Sequence, residues 1–291
     1  MLSGSITALI TPFRDGRVDE DALHALVERQ IDAGTHGLVP CGTTGESPTL
    51  SHDEHLRVVE ICIGAAAGRV PIIAGTGSNA TQEALDFTRH AEKAGAAAAL
   101  VVTPYYNKPT QAGLVAHFTA LNDAVENLPL IIYNIPGRSA IDMQIETMAE
   151  LAALKNIVGV KDATSVLDRP ILTTLACGRD FCQLSGEDGT AVPFLAAGGH
   201  GCISVTGNIL PRLCSEMQHA WMDGNFAKAM AVQEKLMPVH AAMFCETSPG
   251  PVKYAAELLG LSTSETRLPI TEIADASQKQ VEEALKRVGA L

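Results

Sequence analysis

The sequence predicts an α/β fold, a (β/α)8 TIM barrel with a C-terminal helical appendix, and three observations predict it. Short runs rich in Val, Ile, Leu and Ala alternate with longer stretches of helical period. Each short run is nearly continuous in apolar character, as a strand buried on both faces of a parallel sheet must be. Eight such runs, separated by seven helix-sized segments, repeat a βα unit with the spacing of a closed barrel. An open doubly wound sheet would usually carry a G-x-G-x-x-G turn after its first strand, and none is present.

The predicted strands are Ser5–Thr11, Gly37–Cys41, Pro71–Gly75, Ala98–Thr103, Leu130–Asn134, Ile157–Lys161, Phe181–Gly186 and Gly201–Thr206. Between them lie helix signals. Asp19 is placed to cap a helix, with Val18 and Leu23 as a hydrophobic staple and Leu23, Leu26, Val27 and Ile31 as its apolar stripe. Ser51 with Glu54 reads as a capping box, and Asn79 with Gln82 as a weaker one. Gly34 and Gly95 end helices as C-terminal glycines. After Gly224 the strand pattern ceases. Phe226, Ala229, Met230, Gln233, Leu236 and Met237 recur at helical spacing, and helices follow near Pro251–Leu259 and Gln278–Val288. The expected division is a barrel over residues 1–223 and a helical domain over 224–291.

Composition removes several function classes. The chain has 291 residues and 46% of them are hydrophobic, too apolar for a disordered chain. Its formal charge of −12, without a Lys/Arg cluster, speaks against a nucleic-acid partner. No apolar run approaches the ~18 residues of a membrane span. Met1–Phe13 lacks a basic region, so no signal peptide is expected. The seven cysteines form no C-x-x-C pair, so neither a disulfide framework nor zinc is expected. The expectation is a reduced, cytoplasmic protein.

Barrel enzymes carry their chemistry at the C-terminal ends of the strands. At those ends lie Gly42-Thr43-Thr44-Gly45-Glu46-Ser47, Thr103-Pro104-Tyr105-Tyr106-Asn107, Tyr133-Asn134-Ile135-Pro136-Gly137-Arg138 and Lys161-Asp162-Ala163-Thr164. Three of the four tyrosines fall on this rim. Lys161 closes an apolar run, so its stem is expected to be buried. Burial disfavours an ammonium, and a neutral amine attacks a ketone. The competing reading is a lysine snorkelling to solvent. Lys108, in an Asn-Lys-Pro loop, is the main rival nucleophile and is expected to be wet. Arg138 offers a planar fork for a carboxylate or phosphate, against a plain surface salt bridge. Thr43 and Thr44 offer hydroxyls and N–H groups for a small anion, against an ordinary glycine-rich turn. His52 and His55 share a helix face without an H-E-x-x-H or a third ligand, so no metal is expected there. Gly75-Thr76-Gly77 lacks the lysine and spacing of a phosphate loop.

On these motifs, from Gly4-Ser5-Ile6 to the C-terminal helix, the chain resembles the pyruvate-dependent class I aldolases of the N-acetylneuraminate lyase superfamily. Within it the resemblance is to the dihydrodipicolinate synthase family. Arg138 separates the synthases from the sugar-acid lyases, which generally lack an arginine there. The resemblance implies condensation of pyruvate with L-aspartate 4-semialdehyde to 4-hydroxy-tetrahydrodipicolinate, the first committed step of lysine biosynthesis through diaminopimelate. The alternative is another pyruvate-dependent class I aldolase or hydratase of the superfamily, such as a sugar-acid lyase. It further implies catalytic roles for Lys161, Tyr133, Thr43 and Tyr106. Lys161 would form the Schiff base. Tyr133 would shuttle protons, and Thr43 would connect it to Tyr106 from a neighbouring subunit. Thr44 would bind the pyruvate carboxylate and Arg138 a carboxylate of the semialdehyde, with Gly186 and Ile203 lining the site. No metal and no organic cofactor are implied. A homotetramer built as a dimer of dimers is implied, as is an L-lysine effector pocket made by Ser47, His52, His55, Asn79, Glu83 and Tyr105. Pro48 departs from the pattern of inhibited members, where a small non-proline residue is common.

Overall fold

A computed structural model describes residues 1–291. In chain order the elements begin with β1 (Gly4–Ala8), a short antiparallel hairpin of β2 (Phe13–Arg14) and β3 (Arg17–Val18), α1 (Glu20–Asp32), β4 (Gly37–Val39) and α2 (His52–Ala66). Then come β5 (Ile73–Gly75), α3 (Thr81–Ala94), β6 (Ala98–Val102), α4 (Gln111–Ala124), β7 (Leu130–Asn134), the one-turn α5 (Pro136–Ser139) and α6 (Ile145–Ala152). They are followed by β8 (Ile157–Asp162), α7 (Arg169–Cys177), β9 (Cys182–Ser185), α8 (Ala191–Ala196) and β10 (Gly201–Ser204). Four helices complete the chain: α9 (Pro211–Met222), α10 (Phe226–Ala242), α11 (Gly250–Leu258) and α12 (Asp275–Val288). Apart from the hairpin, the strands form an eight-stranded sheet in the order β4-β1-β10-β9-β8-β7-β6-β5. With a helix after each strand, that is the succession of a (β/α)8 barrel. No helix is long and apolar enough to cross a membrane.

The chain packs as two compact units. The first comprises Gly4–Val70 with Ser204–Leu291, the second Met1–Ser3 with Pro71–Ile203. In the first, β1 and β4 pair in parallel with Ile6 opposite Gly37 and Ala8 opposite Val39. Asp19 caps α1 by accepting the Ala22 N–H at 3.0 Å, and Ser51 with Glu54 forms the reciprocal capping box of α2. Ile10 and Leu26 share one buried core with Ile209, Val239, Val252, Val281 and Leu285, so α10, α11 and α12 are part of this unit's interior.

In the second unit, β5 to β9 pair in parallel with their neighbours, and β10 pairs with β9. Every residue of β7 is buried, as the continuous apolar run requires. Gly159 sets the spacing of β8 and β9: a Cβ there would stand 2.3 Å from the Cys182 carbonyl oxygen.

All eight predicted strands are present, with ends displaced by a few residues. Cys41 lies outside β4 because its φ of 54° leaves the extended region. Gly186 lies outside β9, where the Ser185 hydroxyl turns back on Glu187, accepting its N–H and donating to its carbonyl, each at 3.1 Å. Strand β8 runs one residue further than predicted, to Asp162. The Asn79–Gln82 capping box does not form. The N-cap of α3 is Ala80, and the Ser78 hydroxyl serves this end instead, accepting the Ala80 N–H and donating to Glu83.

Candidate active site

Lys161 is a β8 residue in register with Tyr133 of β7 and Leu184 of β9. Paired residues on neighbouring parallel strands project to the same face, so the amine and the phenol ring meet. Lys161 Nζ stands 4.1 Å from the centroid of the Tyr133 ring, and both residues are 6% exposed. Snorkelling to solvent is therefore not what this lysine does. The next residue, Asp162, is committed elsewhere. Its carboxylate accepts the Thr164 N–H and hydroxyl and pairs with Arg169 Nε at 2.9 Å. Arg169, itself buried, also reaches Asp142 and the Met143 carbonyl. A buried charge needs this degree of pairing, and the clamp fixes the end of β8.

Gly186 keeps space beside the lysine. A Cβ there would fall 2.7 Å from Ala163 Cβ and 3.1 Å from Lys161 Cε. Ile203 is fully buried on β10, whose Cys202 is in register with Ser185. Arg138 is exposed on α5, anchored by its N–H to the Ile135 carbonyl. Beside these groups is Glu187. Burial raises its carboxyl above the usual range, opposed by the positive charges of Lys161 and Arg138.

Tyr105 is half-buried, and burial together with the Glu83 carboxylate raises its phenol. Glu83 accepts from the Ser78 hydroxyl, and the Asn79 carbonyl accepts from Asn107 Nδ2 at 2.8 Å. Tyr106 is 88% exposed at a φ of 70°, a left-handed conformation uncommon for an aromatic residue. Lys108, the rival nucleophile, is exposed.

The remaining expected residues belong to the first unit. Thr43 is half-buried and Thr44 buried in a tight turn. There the Gly45 N–H donates to the Gly42 carbonyl and the Glu46 N–H to the Thr43 carbonyl, each at 3.1 Å. The Thr11 hydroxyl donates to the Gly45 carbonyl at 2.7 Å. Gly45 is closely approached: a Cβ there would lie 3.1 Å from the Leu9 carbonyl oxygen. Cys41 and Glu46 flank the turn, both at a φ of 54°. Ser47 and Pro48 open a single 3-10 turn. At the start of α2, His52 is exposed while His55 is buried.

Sequence reasoning missed Glu187, the Asp162–Arg169 clamp and a buried Glu46–Lys253 ion pair of 2.5 Å. The one available signal for the last was a glutamate inside an otherwise neutral glycine-rich turn.

The profile of the Dihydrodipicolinate synthetase family matches residues 1–288. A 4-hydroxy-tetrahydrodipicolinate synthase of Rhodospirillum centenum is 61% identical over 291 residues, covering all of both chains. A chloride-inhibited dihydrodipicolinate synthase of Acinetobacter baumannii, solved with pyruvate, superposes with a TM-score of 0.97 at 44% identity and covers 100% of each chain. A synthase of Cyanidioschyzon merolae, solved with lysine bound, gives 0.96 at 37% identity over 100% of this chain and 99% of that one.

Proposed function

Because the chain belongs to the dihydrodipicolinate synthetase family, we propose that it condenses pyruvate with L-aspartate 4-semialdehyde through a Schiff base on Lys161. The unprotonated form of the Lys161 amine adds to the keto carbon of pyruvate and water leaves, giving an imine. Loss of a methyl proton gives the enamine, whose carbon attacks the aldehyde of the semialdehyde. The amino group of that substrate then adds to the imine carbon and expels the lysine, closing the ring of 4-hydroxy-tetrahydrodipicolinate. The lysine itself serves as the electron sink, so the chemistry needs neither a metal nor an organic cofactor.

Tyr133, Thr43 and Tyr106, the last supplied by a neighbouring subunit, carry the proton transfers. Thr44 holds the pyruvate carboxylate, Arg138 holds a carboxylate of the semialdehyde, and Gly186 and Ile203 line the site. The observation that carries this reading is a buried amine against a phenol ring, with a glycine keeping space beside it. The exposure of Tyr106 in the isolated chain supports its use by another subunit. The assembly is a homotetramer of tight dimers in the cytoplasm. The barrel over residues 1–223 is catalytic and residues 224–291 form its helical addition. L-Lysine acts as an effector through Ser47, His52, His55, Asn79, Glu83 and Tyr105; the Glu83 carboxylate suits its ammonium.

A coupled assay tests the substrate pair. Pyruvate consumption should depend on added aspartate semialdehyde. Turnover of a sugar acid with none on the semialdehyde would instead assign the chain to the lyases.

A further inference from the structure

Glu46 carries a charge where a fold seldom tolerates one. It is 2% exposed, and Lys253, opposite it, is 0% exposed. Lys253 Nζ meets Glu46 Oε1 at 2.5 Å, as a charge contact rather than an aligned hydrogen bond, and donates to the Glu265 carbonyl at 2.7 Å. Glu46 Oε2 accepts the backbone N–H of Arg267 at 2.9 Å. The Arg267 guanidinium spans both oxygens of Glu54 at 2.7 and 2.6 Å and also reaches the Thr49 and Gly16 carbonyls. Both cations lie over the Phe13 ring, Lys253 Nζ at 4.0 Å and Arg267 Cζ at 4.3 Å from its centroid.

This network is an expensive way to fill a core. Two buried ions lose most of their hydration, and a well-packed apolar replacement is often as stable or more so. Burial pushes the Lys253 ammonium down to about 8 despite Glu46. The left-handed backbone of Glu46 adds a further cost. Strain and buried charge of this kind persist where the surroundings over-determine a geometry that serves function. The backbone of Glu46 points to which geometry. Its N–H closes the turn on the Thr43 carbonyl at 3.1 Å, and its carbonyl accepts the Thr49 N–H and hydroxyl, each at 3.0 Å. Fixing the Glu46 side chain therefore fixes the loop on which Thr43 and Thr44 stand.

We propose that Glu46, Lys253 and Arg267 are positioning residues for catalysis, clamping the Thr43–Thr44 turn in its pyruvate-binding geometry. The inference rests on the assignment of Thr44 to the pyruvate carboxylate given above.

The test compares three variants of the full-length enzyme by KM for each substrate, kcat and thermal midpoint. Thr44→Val checks the assignment alone and should raise pyruvate KM. The double variant Glu46→Gln with Lys253→Met removes both charges at similar volume, so no unpaired ion is left behind. It should fold and raise pyruvate KM by ~10-fold or more while leaving the semialdehyde KM near its original value. A purely structural pair would change only the thermal midpoint or the active fraction, neither of which moves KM. Glu54→Gln loosens the Arg267 clamp from its solvent side and keeps the buried pair. It should raise pyruvate KM by a smaller factor, about 2- to 3-fold, and it decides the matter if the double variant does not fold. A raised KM in Thr44→Val beside an unchanged one in the folded charge variants overturns the clamp alone. An unchanged KM in Thr44→Val overturns the assignment, and the clamp with it.

Discussion

Two lysines of this molecule are buried, and they are buried in opposite ways. Lys253 of α11 is wholly enclosed over the ring of Phe13 at 4.0 Å and set against the Glu46 carboxylate. Lys161 of β8 is almost as enclosed over the ring of Tyr133 at 4.1 Å, but the carboxylate next to it in sequence, Asp162, is held on Arg169. An aromatic face accompanies each amine, so the ring alone does not define a reactive lysine. The partners make the difference. Lys253 Nζ is held between the Glu46 carboxylate and the Glu265 carbonyl, whereas Lys161 lies beside the space that Gly186 keeps open.

Substituting each lysine in turn separates the two roles. Lys161→Ala should lower turnover by ~10³-fold or more, because covalent catalysis loses its nucleophile. Its thermal midpoint should stay within a few degrees of wild type. Lys253→Met should do the reverse in kind, removing about 3–5 kcal/mol of stability in urea unfolding because Glu46 is left buried without its counter-charge. A Lys161→Ala protein that retains turnover, or a Lys253→Met protein of unchanged stability, would erase the distinction.

Gly159→Ala probes the strand spacing that supports Lys161. The added Cβ would meet the Cys182 carbonyl at 2.3 Å, so β8 and β9 must part. The expected loss is about 1–3 kcal/mol, with reduced reaction of Lys161 as the further sign that β8 has moved.

Acid should expose the weaker electrostatics of each unit in separate windows. The guanidinium of Arg267 holds the Glu54 carboxyl down to about 2 from its usual 4.5. The folded state then binds its proton less readily, so this contribution is complete above 4.5 and is lost as pH falls toward 2. Burial lowers His117 from 6.5 to about 4, so the unfolded chain takes up a proton first and stability declines as pH falls from 6.5 to 4. Unfolding titrations of Glu54→Gln and His117→Asn should each flatten only the corresponding limb.

These two regions also differ in how far they could be read from sequence. Lys161 was legible because a lysine ending an apolar run is a local anomaly. The runs themselves were legible because strands buried on both faces must be continuously apolar. The strand ends were less so, since they depend on single backbone torsions such as that of Cys41 and on the Ser185 turn. The Glu46 network was invisible. Glu46 and Arg267 stand 221 positions apart, and neither has a local pattern that announces the other. Glu187 escaped for a related reason: its character comes from burial and from charges on other segments. His52 and His55 were readable as neighbours on a helix, but not as one exposed and one buried group.

Reductive trapping tests most directly whether Lys161 is the nucleophile. The protein is incubated with pyruvate, reduced with borohydride, digested and mapped by mass spectrometry. The expected result is one reduced pyruvate adduct, on Lys161, with Lys253 and Lys108 unmodified. An adduct on either of those lysines instead, or none at all, would contradict it.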